Sequence, residues 1–261
     1  MQVRTTTPKQ SPISISDYPN ETLRPASSQL TSLLQSESVV RLPVDAIYFI
    51  SLQKSAGRRK HLLKMFETLG IQDMHGNPPQ WHLASDGNKP PHVVDNSKKP
   101  GYRRQRLSIG EIGCCASHRA VWTKIVQNGH PLTLVLEDDA EFIKEETLNL
   151  IKNWDKLPEF DFLHLGWYYY PGYKEQTIEK VDIPELPNLW KGDGMWLTHA
   201  YIITNELALD WLQRTQVQYN GLDAMTADFQ LESRCYGFKP PVCRQNQSRN
   251  PVFRGTILHT S

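Results

Sequence analysis

The segment Leu132-Thr133-Leu134-Val135-Leu136 contains nothing polar larger than Thr133 and runs directly into Glu137-Asp138-Asp139. Such an uninterrupted run reads as a strand buried on both faces, so the fold must cover its sheet on both sides. Three adjacent carboxylates at the end of that strand repel one another unless something positive sits among them. A hard divalent cation with oxygen ligands would answer that need. Side chains alternate along a strand, which sends Glu137 and Asp139 one way and Asp138 the other. A second explanation stands beside the first: Asp138 or Asp139 caps a helix running through Ala140, Glu141 and Phe142, with acids favoured in its first turn.

The same apolar pattern recurs. Asp45–Leu52, Trp81–Ala84, Asp161–Gly166 and Thr198–Thr204 read as strands, with a last strand-like stretch near Phe238–Cys243. Between them lie helical stripes. One follows Ser55, a suitable N-cap, with Leu62, Leu63, Phe66 and Leu69 on one face and Gly70 at its end. Another opens at Ser108 with Glu111 at capping-box spacing and stops at Gly129 and Pro131. Strand–helix alternation predicts an α/β sandwich with a mostly parallel sheet. In such sheets ligands bind beyond the carboxyl ends of the strands, which gathers Ser51-Leu52, Ser85-Asp86-Gly87 and Glu137-Asp138-Asp139 on one rim. Residues 1–43 read as a Ser/Thr/Pro-rich arm, disordered or loosely docked, ahead of a single domain over 44–261. The stretch from Lys89 to Arg106 carries three prolines and a basic cluster, Lys98, Lys99, Arg103, Arg104 and Arg106, and reads as a functional loop.

With 29 basic and 28 acidic residues the formal charge is +1, so the chain has no global field for a nucleic-acid backbone or an acidic membrane. Its 261 residues can bury a core without disulfides. Cys114, Cys115, Cys235 and Cys243 are expected as reduced thiols, with a Cys235–Cys243 bridge the alternative and the adjacent Cys114-Cys115 pair a poor structural zinc set. No run reaches membrane-span length and the N-terminus lacks a signal-peptide core, which makes a cytoplasmic location the expectation, with the secretory lumen the alternative for a trimmed fragment.

The motifs Ile50-Ser51-Leu52 with Arg58-Arg59, Ala84-Ser85-Asp86-Gly87, Leu107-Ser108-Ile109-Gly110-Glu111-Ile112-Gly113-Cys114 with Ser117-His118, and Leu136-Glu137-Asp138-Asp139 resemble glycosyltransferase family 25. That family contains bacterial lipooligosaccharide galactosyltransferases and the catalytic domains of procollagen galactosyltransferases. Pro100-Gly101-Tyr102 is similar to the procollagen type, and the likeness extends in order from roughly Asp45 to Gln245. It implies a GT-A-type, Rossmann-like α/β/α sandwich. It also implies an inverting transfer of a hexose, usually galactose, from a UDP-sugar to a glycan or glycoprotein hydroxyl, with Mn²⁺ or Mg²⁺.

On this resemblance Glu137 and Asp139 are the metal ligands, and Asp138 contacts the ribose or the sugar. Ser51, Leu52 and Arg58 meet uridine and phosphate, with Arg59 the weaker candidate and a solvated charge the alternative for Arg58. Asp86 accepts from uracil and Gly87 permits close backbone approach, or the pair is a plain turn. Glu111, Ser117 and His118 contact the donor, although a capping box explains Glu111 without any ligand and His118 suits an interior hydrogen bond. Asp223 is the general base with Asp228 in reserve, an exposed helix-start acid being the alternative. His199 and Gln245 support the site, and Trp167–Tyr170 either stack on acceptor sugars or pack. A different class of function is a non-catalytic UDP-sugar or glycan-binding module that retains the fold.

Overall fold

The computed structural model describes residues 39–97, 106–169 and 178–246. The apolar run ending in the carboxylates is a strand, and it lies inside an eight-stranded sheet. In chain order the sheet strands are β1 (Ala46–Ser51), β2 (Gln80–Leu83), β3 (Leu132–Glu137), β4 (Phe162–His164), β5 (Ile178–Lys180), β6 (Leu189–Gly192), β7 (Ala200–Thr204) and β8 (Cys235–Phe238). Their spatial order is β2-β1-β3-β7-β4-β8-β6-β5. All of these strands except β7 and β6 run in one direction, so the sheet is mostly parallel as expected.

Side-chain alternation divides the core between the two faces. Leu134 and Leu136 point with Ile47, Phe49 and Ile202 toward Leu62 and Phe66 of α1 (Ala56–Leu69), in a cluster that also takes in Leu150 and Ile151. Val135 points with Tyr48, Tyr201 and Ile203 toward α2 (Ile109–Asn128), which contributes Cys115, Val121, Trp122 and Ile125. The helix α3 (Lys144–Lys152) completes the first layer, while α4 (Asn205–Arg214) and α5 (Leu222–Phe229) complete the second. Leu134 and Val135 are fully buried, and each such side chain stabilises the fold by about 2 kcal/mol relative to exposure. The architecture is an α/β/α sandwich.

Local signals explain where these elements begin and end. The Ser108 hydroxyl accepts from the Glu111 N–H at 3.2 Å while the Glu111 carboxylate accepts from the Ser108 N–H at 2.8 Å, closing the capping box that starts α2. Gly129 ends it at φ 65° and Gly70 ends α1 at φ 62°, both in the left-handed region that glycine tolerates. Ser55 holds the N-cap position of α1 but makes no side-chain capping bond.

The helix start considered at the carboxylates is not what forms. Ala140–Phe142 is a short strand paired antiparallel with Cys243–Gln245, and the next helix begins only at Lys144. Order also starts earlier than the apolar pattern suggests: Val40–Arg41 pairs with Ile71–Gln72, and Leu42 and Val44 are buried. Of the expected arm only residues 39–43 are described, and Lys98, Lys99, Arg103, Arg104, Tyr170 and Pro100-Gly101-Tyr102 lie outside the described residues. All four cysteines are free thiols. No helix among the described residues is long and apolar enough to cross a membrane.

Candidate active site

Parallel β1 and β3 end side by side, so Ser51 and the Glu137–Asp139 turn emerge together. The neighbouring β7 runs the other way, pairing Ala200 with Leu136, and therefore delivers its beginning to the same rim. There Thr198 Oγ1 donates to Glu137 Oε1 at 3.1 Å and the His199 carbonyl accepts from the Glu137 N–H at 2.8 Å. A cavity of about 560 Å³ opens at this rim, lined among others by Ser51, Leu52, Arg58, Asp86, Gly87 and Asp138. Cys114, Ser117, His118 and Glu137 close its other side.

The three carboxylates part company. Asp138 accepts from the Ser51 hydroxyl at 2.8 Å and from Arg58 Nη1 at 3.1 Å. Glu137, 28% exposed, lies 3.4 Å from His118 Nε2. Burial pushes its carboxyl up, but His118, His199 and Thr198 outweigh that and hold it below the ordinary range. Asp139 is buried, and its Oδ2 accepts from Gln245 Nε2 at 3.1 Å. Burial first, then the charges of Glu137 and Asp138, push its carboxyl up to about 7.

Helix α2 and the loop after β2 form one unit. The Ser117 hydroxyl donates to the Gly113 carbonyl at 2.6 Å and accepts from the Ser85 N–H at 2.8 Å, which ties the loop to the helix. Gly87 packs against the helix backbone so closely that a Cβ there would sit 1.9 Å from the Ile109 carbonyl oxygen. The close approach expected at Gly87 is thus made to α2. Asp86 accepts from the Asn88 N–H and side-chain amide, which hold its exposed carboxyl below the usual range. Glu111 spends its carboxylate on the helix cap and does not line the cavity.

Asp223 opens α5 outside the cavity lining, with Oδ1 accepting from the Ala224 N–H at 2.9 Å. Burial, reinforced by the charges of Glu137 and Glu111, pushes its carboxyl up to about 6. Asp228 lies five residues on, about 140° round the helix, and also stays outside the cavity lining. His199 Nε2 donates to the Cys243 carbonyl at 3.0 Å, and burial holds its imidazole below the ordinary value.

A second cavity of about 590 Å³ lies beyond Asp139, lined by Trp167, Tyr168, His199, Gln245, Glu141 and Arg244 among others. Trp167 is a packing residue: a Cβ on Gly237 would sit 2.6 Å from its ring, and Lys239 Nζ lies 4.9 Å from the ring centroid. Tyr168 is fixed through its backbone by a bridge to Trp196 and keeps its side chain partly exposed.

The donor set at the turn fits a divalent cation. Glu137 and Asp139 offer oxygen, Glu137 from the cavity lining beside Asp138 and Asp139 from a buried position outside it. The expected sharing of one side by Glu137 and Asp139 is therefore not what forms. The pressure on Asp139 to hold a proton is what a cation beside it would relieve. A softer grouping is also present: ligand atoms of Cys114, His118 and Glu137 lie within 4.8 Å of one another. Burial, with Glu137, Cys115, Asp223 and Asp139 around it, raises the Cys114 thiol well above its usual range.

One contribution is larger than the sequence suggests and another escapes it. Arg59 donates to the Ser51 hydroxyl and to the Leu52 and Gln53 carbonyls, and stacks 4.2 Å above Trp81, clamping the loop that presents Ser51. Tyr201, which the pattern marks only as a strand residue, places its hydroxyl 2.8 Å from His118 Nδ1. An Arg beside another Arg at a strand–helix junction, and a Tyr in a buried strand facing a helical His, are the available signals.

The comparisons with known proteins agree with this geometry. The family model of glycosyltransferase family 25 (LPS biosynthesis protein) matches residues 44–229. Procollagen galactosyltransferase 2 of Homo sapiens is 29% identical over 177 residues, covering 64% of this chain and 27% of that protein. A glycosyltransferase 25 family member of Drosophila melanogaster is 25% identical over 183 residues, covering 66% of this chain and 28% of its own length. A probable inactive glycosyltransferase 25 family member 3 of Bos taurus is 25% identical over 173 residues, with coverages of 63% and 28%. The chain spans little more than a quarter of the length of these relatives. The family match runs from just before β1 to the end of α5 and takes in the strand ends, the α2 motif and the carboxylate turn, so the chain belongs to glycosyltransferase family 25.

Proposed function

We propose that this chain transfers a hexose, galactose first among the candidates, from a UDP-sugar to a hydroxyl of a glycan or glycoprotein acceptor. The transfer inverts the anomeric carbon, uses Mn²⁺ or Mg²⁺, and works on a GT-A-type fold. The observation that carries this reading is the cavity at the strand ends, where Ser51, Arg58 and Asp138 form one polar network and Glu137, held by Thr198 and His118, faces them, with Asp139 buried behind the lining against Gln245. Names of the relatives, procollagen galactosyltransferase among them, support the choice of sugar.

In this reading Ser51 and Arg58 hold Asp138 in place to meet the donor's ribose or sugar, and the exposed Arg58 edge faces the diphosphate. Asp86 and Gly87 form the wall for the base. Glu137 and Asp139 would hold the cation, which would supply charge neutralisation to the departing diphosphate. The acceptor hydroxyl must lose its proton as the bond forms, and Asp223, with its carboxyl near 6, is suited to take it near neutral pH. The aromatic cavity beside Gln245 is the acceptor side, with Tyr168 available to stack on a sugar ring.

A binding module that keeps the fold is the second reading. The bovine relative named as probably inactive and the position of Asp223 outside the cavity lining both favour it. A panel of UDP-sugars incubated with Mn²⁺ separates the two. Hydrolysis or transfer that needs the metal and falls by about 100-fold or more in Asp139→Ala is expected of the enzyme. Binding of a UDP-sugar without turnover, unchanged by chelator, overturns it.

A further inference from the structure

Beneath Glu137 lies a buried chain of polar groups that touches no cavity except at its end. Trp122 Nε1 is 2.9 Å from the Tyr201 hydroxyl, which is 2.8 Å from His118 Nδ1, and His118 Nε2 is 3.4 Å from Glu137 Oε1. Trp122 and Tyr201 are fully buried and His118 is 1% exposed, so water cannot adjust the protons in this chain. Counting them fixes their direction. An indole N–H only donates, so the Tyr201 oxygen accepts from Trp122. Among the described residues the remaining partner of that hydroxyl is His118, so its hydrogen goes to Nδ1. Nδ1 is then a bare acceptor, and the ring's own proton sits on Nε2, facing Glu137. With the proton on Nδ1 instead, the Tyr201 oxygen would accept twice and its hydrogen would be stranded without a partner in a dry interior.

We infer that Tyr201, held by Trp122, is a positioning residue that fixes His118 as the Nε2–H tautomer and so orients the Glu137 carboxylate at the mouth of the site. The rings are packed to hold this arrangement. His118 and Tyr201 stack at 5.6 Å with 28° between their planes, and Phe162 stacks on the far face of the group at 4.8 Å from Tyr201. The chain deepens the proposed transferase reading, on which its kinetic consequence rests; the tautomer itself does not depend on that reading. It also decides between two uses of the Cys114, His118 and Glu137 grouping. A metal bound at His118 Nε2 requires a lone pair there and hence a proton on Nδ1, the opposite tautomer.

The test is nitrogen NMR of the whole chain labelled with ¹⁵N-histidine, recorded without metal, with His118 assigned by its loss in His118→Gln. An unprotonated Nδ1 and a protonated Nε2 are expected. In Tyr201→Phe, which keeps the ring stack, the His118 signals should shift toward a mixture of tautomers. Mn²⁺ affinity, read by electron paramagnetic resonance, should weaken by about 10-fold. Trp122→Phe should move the same signals in the same direction by a smaller amount. A protonated Nδ1 in the wild-type chain overturns the inference, as does a Tyr201→Phe spectrum that leaves His118 unchanged. So does a Co²⁺ titration giving a thiolate absorption band that disappears in Cys114→Ser, because that band would put the metal on the other tautomer. If the NMR result holds while no UDP-sugar is turned over, the tautomer assignment survives and the transferase reading fails.

Discussion

The cavity beside Asp138 is lined by small polar groups with Arg58 and Lys54, whereas the cavity beyond Asp139 is lined by Trp167 and Tyr168 with the buried His199 and the Glu141–Arg244 pair. Both depend on a glycine pressed against main chain. Gly87 lies on α2, and a Cβ on Gly166 would come 2.3 Å from the Cys243 carbonyl. They differ in what they can neutralise. Ser51, Arg58 and Asp138 hold each other in a geometry suited to a charged, hydroxyl-rich donor, while Tyr168 offers an uncharged face. One short turn of three carboxylates separates them, and the charged side chains that line the aromatic side, Glu141 and Arg244, are paired with each other. The asymmetry teaches that the two sides can be damaged separately.

The largest effect is expected where the donor side meets helix α2. In Gly87→Ala the new methyl group would have to displace the Ile109 carbonyl or the loop itself, since both neighbours are backbone. A loss of about 3 kcal/mol follows, read as a fall of roughly 10 °C in melting temperature, together with loss of UDP-sugar binding by calorimetry. Gly57→Ala supplies the control. Its Cβ meets nothing within 4 Å in the helix α1, and the change should stabilise by about 0.5–1 kcal/mol. Equal melting temperatures for the two variants would show that the loop is not pinned to the helix as described.

Acid sensitivity is expected at the buried histidines, at His82 on the donor side, where burial lowers the imidazole to about 4, and more strongly at His164 near His199. His164 is fully buried next to Gln230, with their side-chain nitrogens 3.1 Å apart. Burial first, and then the charge of His199, lowers its imidazole from 6.5 to about 3. The folded state therefore holds it neutral while the unfolded chain takes a proton below 6.5. Its contribution to stability is complete above pH 6.5 and is lost as pH falls toward 3. By pH 5 the loss is about 2 kcal/mol. Denaturant unfolding at pH 7 and pH 5 checks this, and His164→Gln should lose less between the two pH values than the wild type. An identical loss in both proteins would remove His164 as the cause.

How much of this is legible in the sequence differs between the two sides as well. The strand ends on the donor side can be read because continuous apolar runs mark parallel interior strands, and their carboxyl ends collect ligands by a general rule. The Ser108–Glu111 spacing reveals the start of α2 and, correctly, an explanation of Glu111 that needs no ligand. The direction of β7 is not legible, because composition carries no arrow, and that reversal is what brings Thr198 and His199 to Glu137. The strands Val40–Arg41 and Ala140–Phe142 are too short to show a period. The pattern therefore places the start of order too late and leaves a helix cap as rival to the strand that forms. Tyr201 acts through His118, 83 residues away, and no local pattern registers such a contact.

The smallest effect separates the two cavities most sharply. Tyr168 is held by paired main-chain bonds with Trp196, so truncating its side chain leaves the strand bridge in place. If the aromatic cavity receives the acceptor, Tyr168→Ala removes one face of contact with a sugar ring, about 0.5–1 kcal/mol. The KM for acceptor should then rise roughly 3-fold, with Mn²⁺-dependent hydrolysis of the UDP-sugar unchanged in the absence of acceptor. Hydrolysis and transfer falling together would mean that Tyr168 supports the donor side. Neither changing would place the acceptor elsewhere on the rim. In the proposed reading donor hydrolysis needs only the first cavity and transfer needs both, so the ratio of the two rates in this one variant reads the boundary at Asp139 directly.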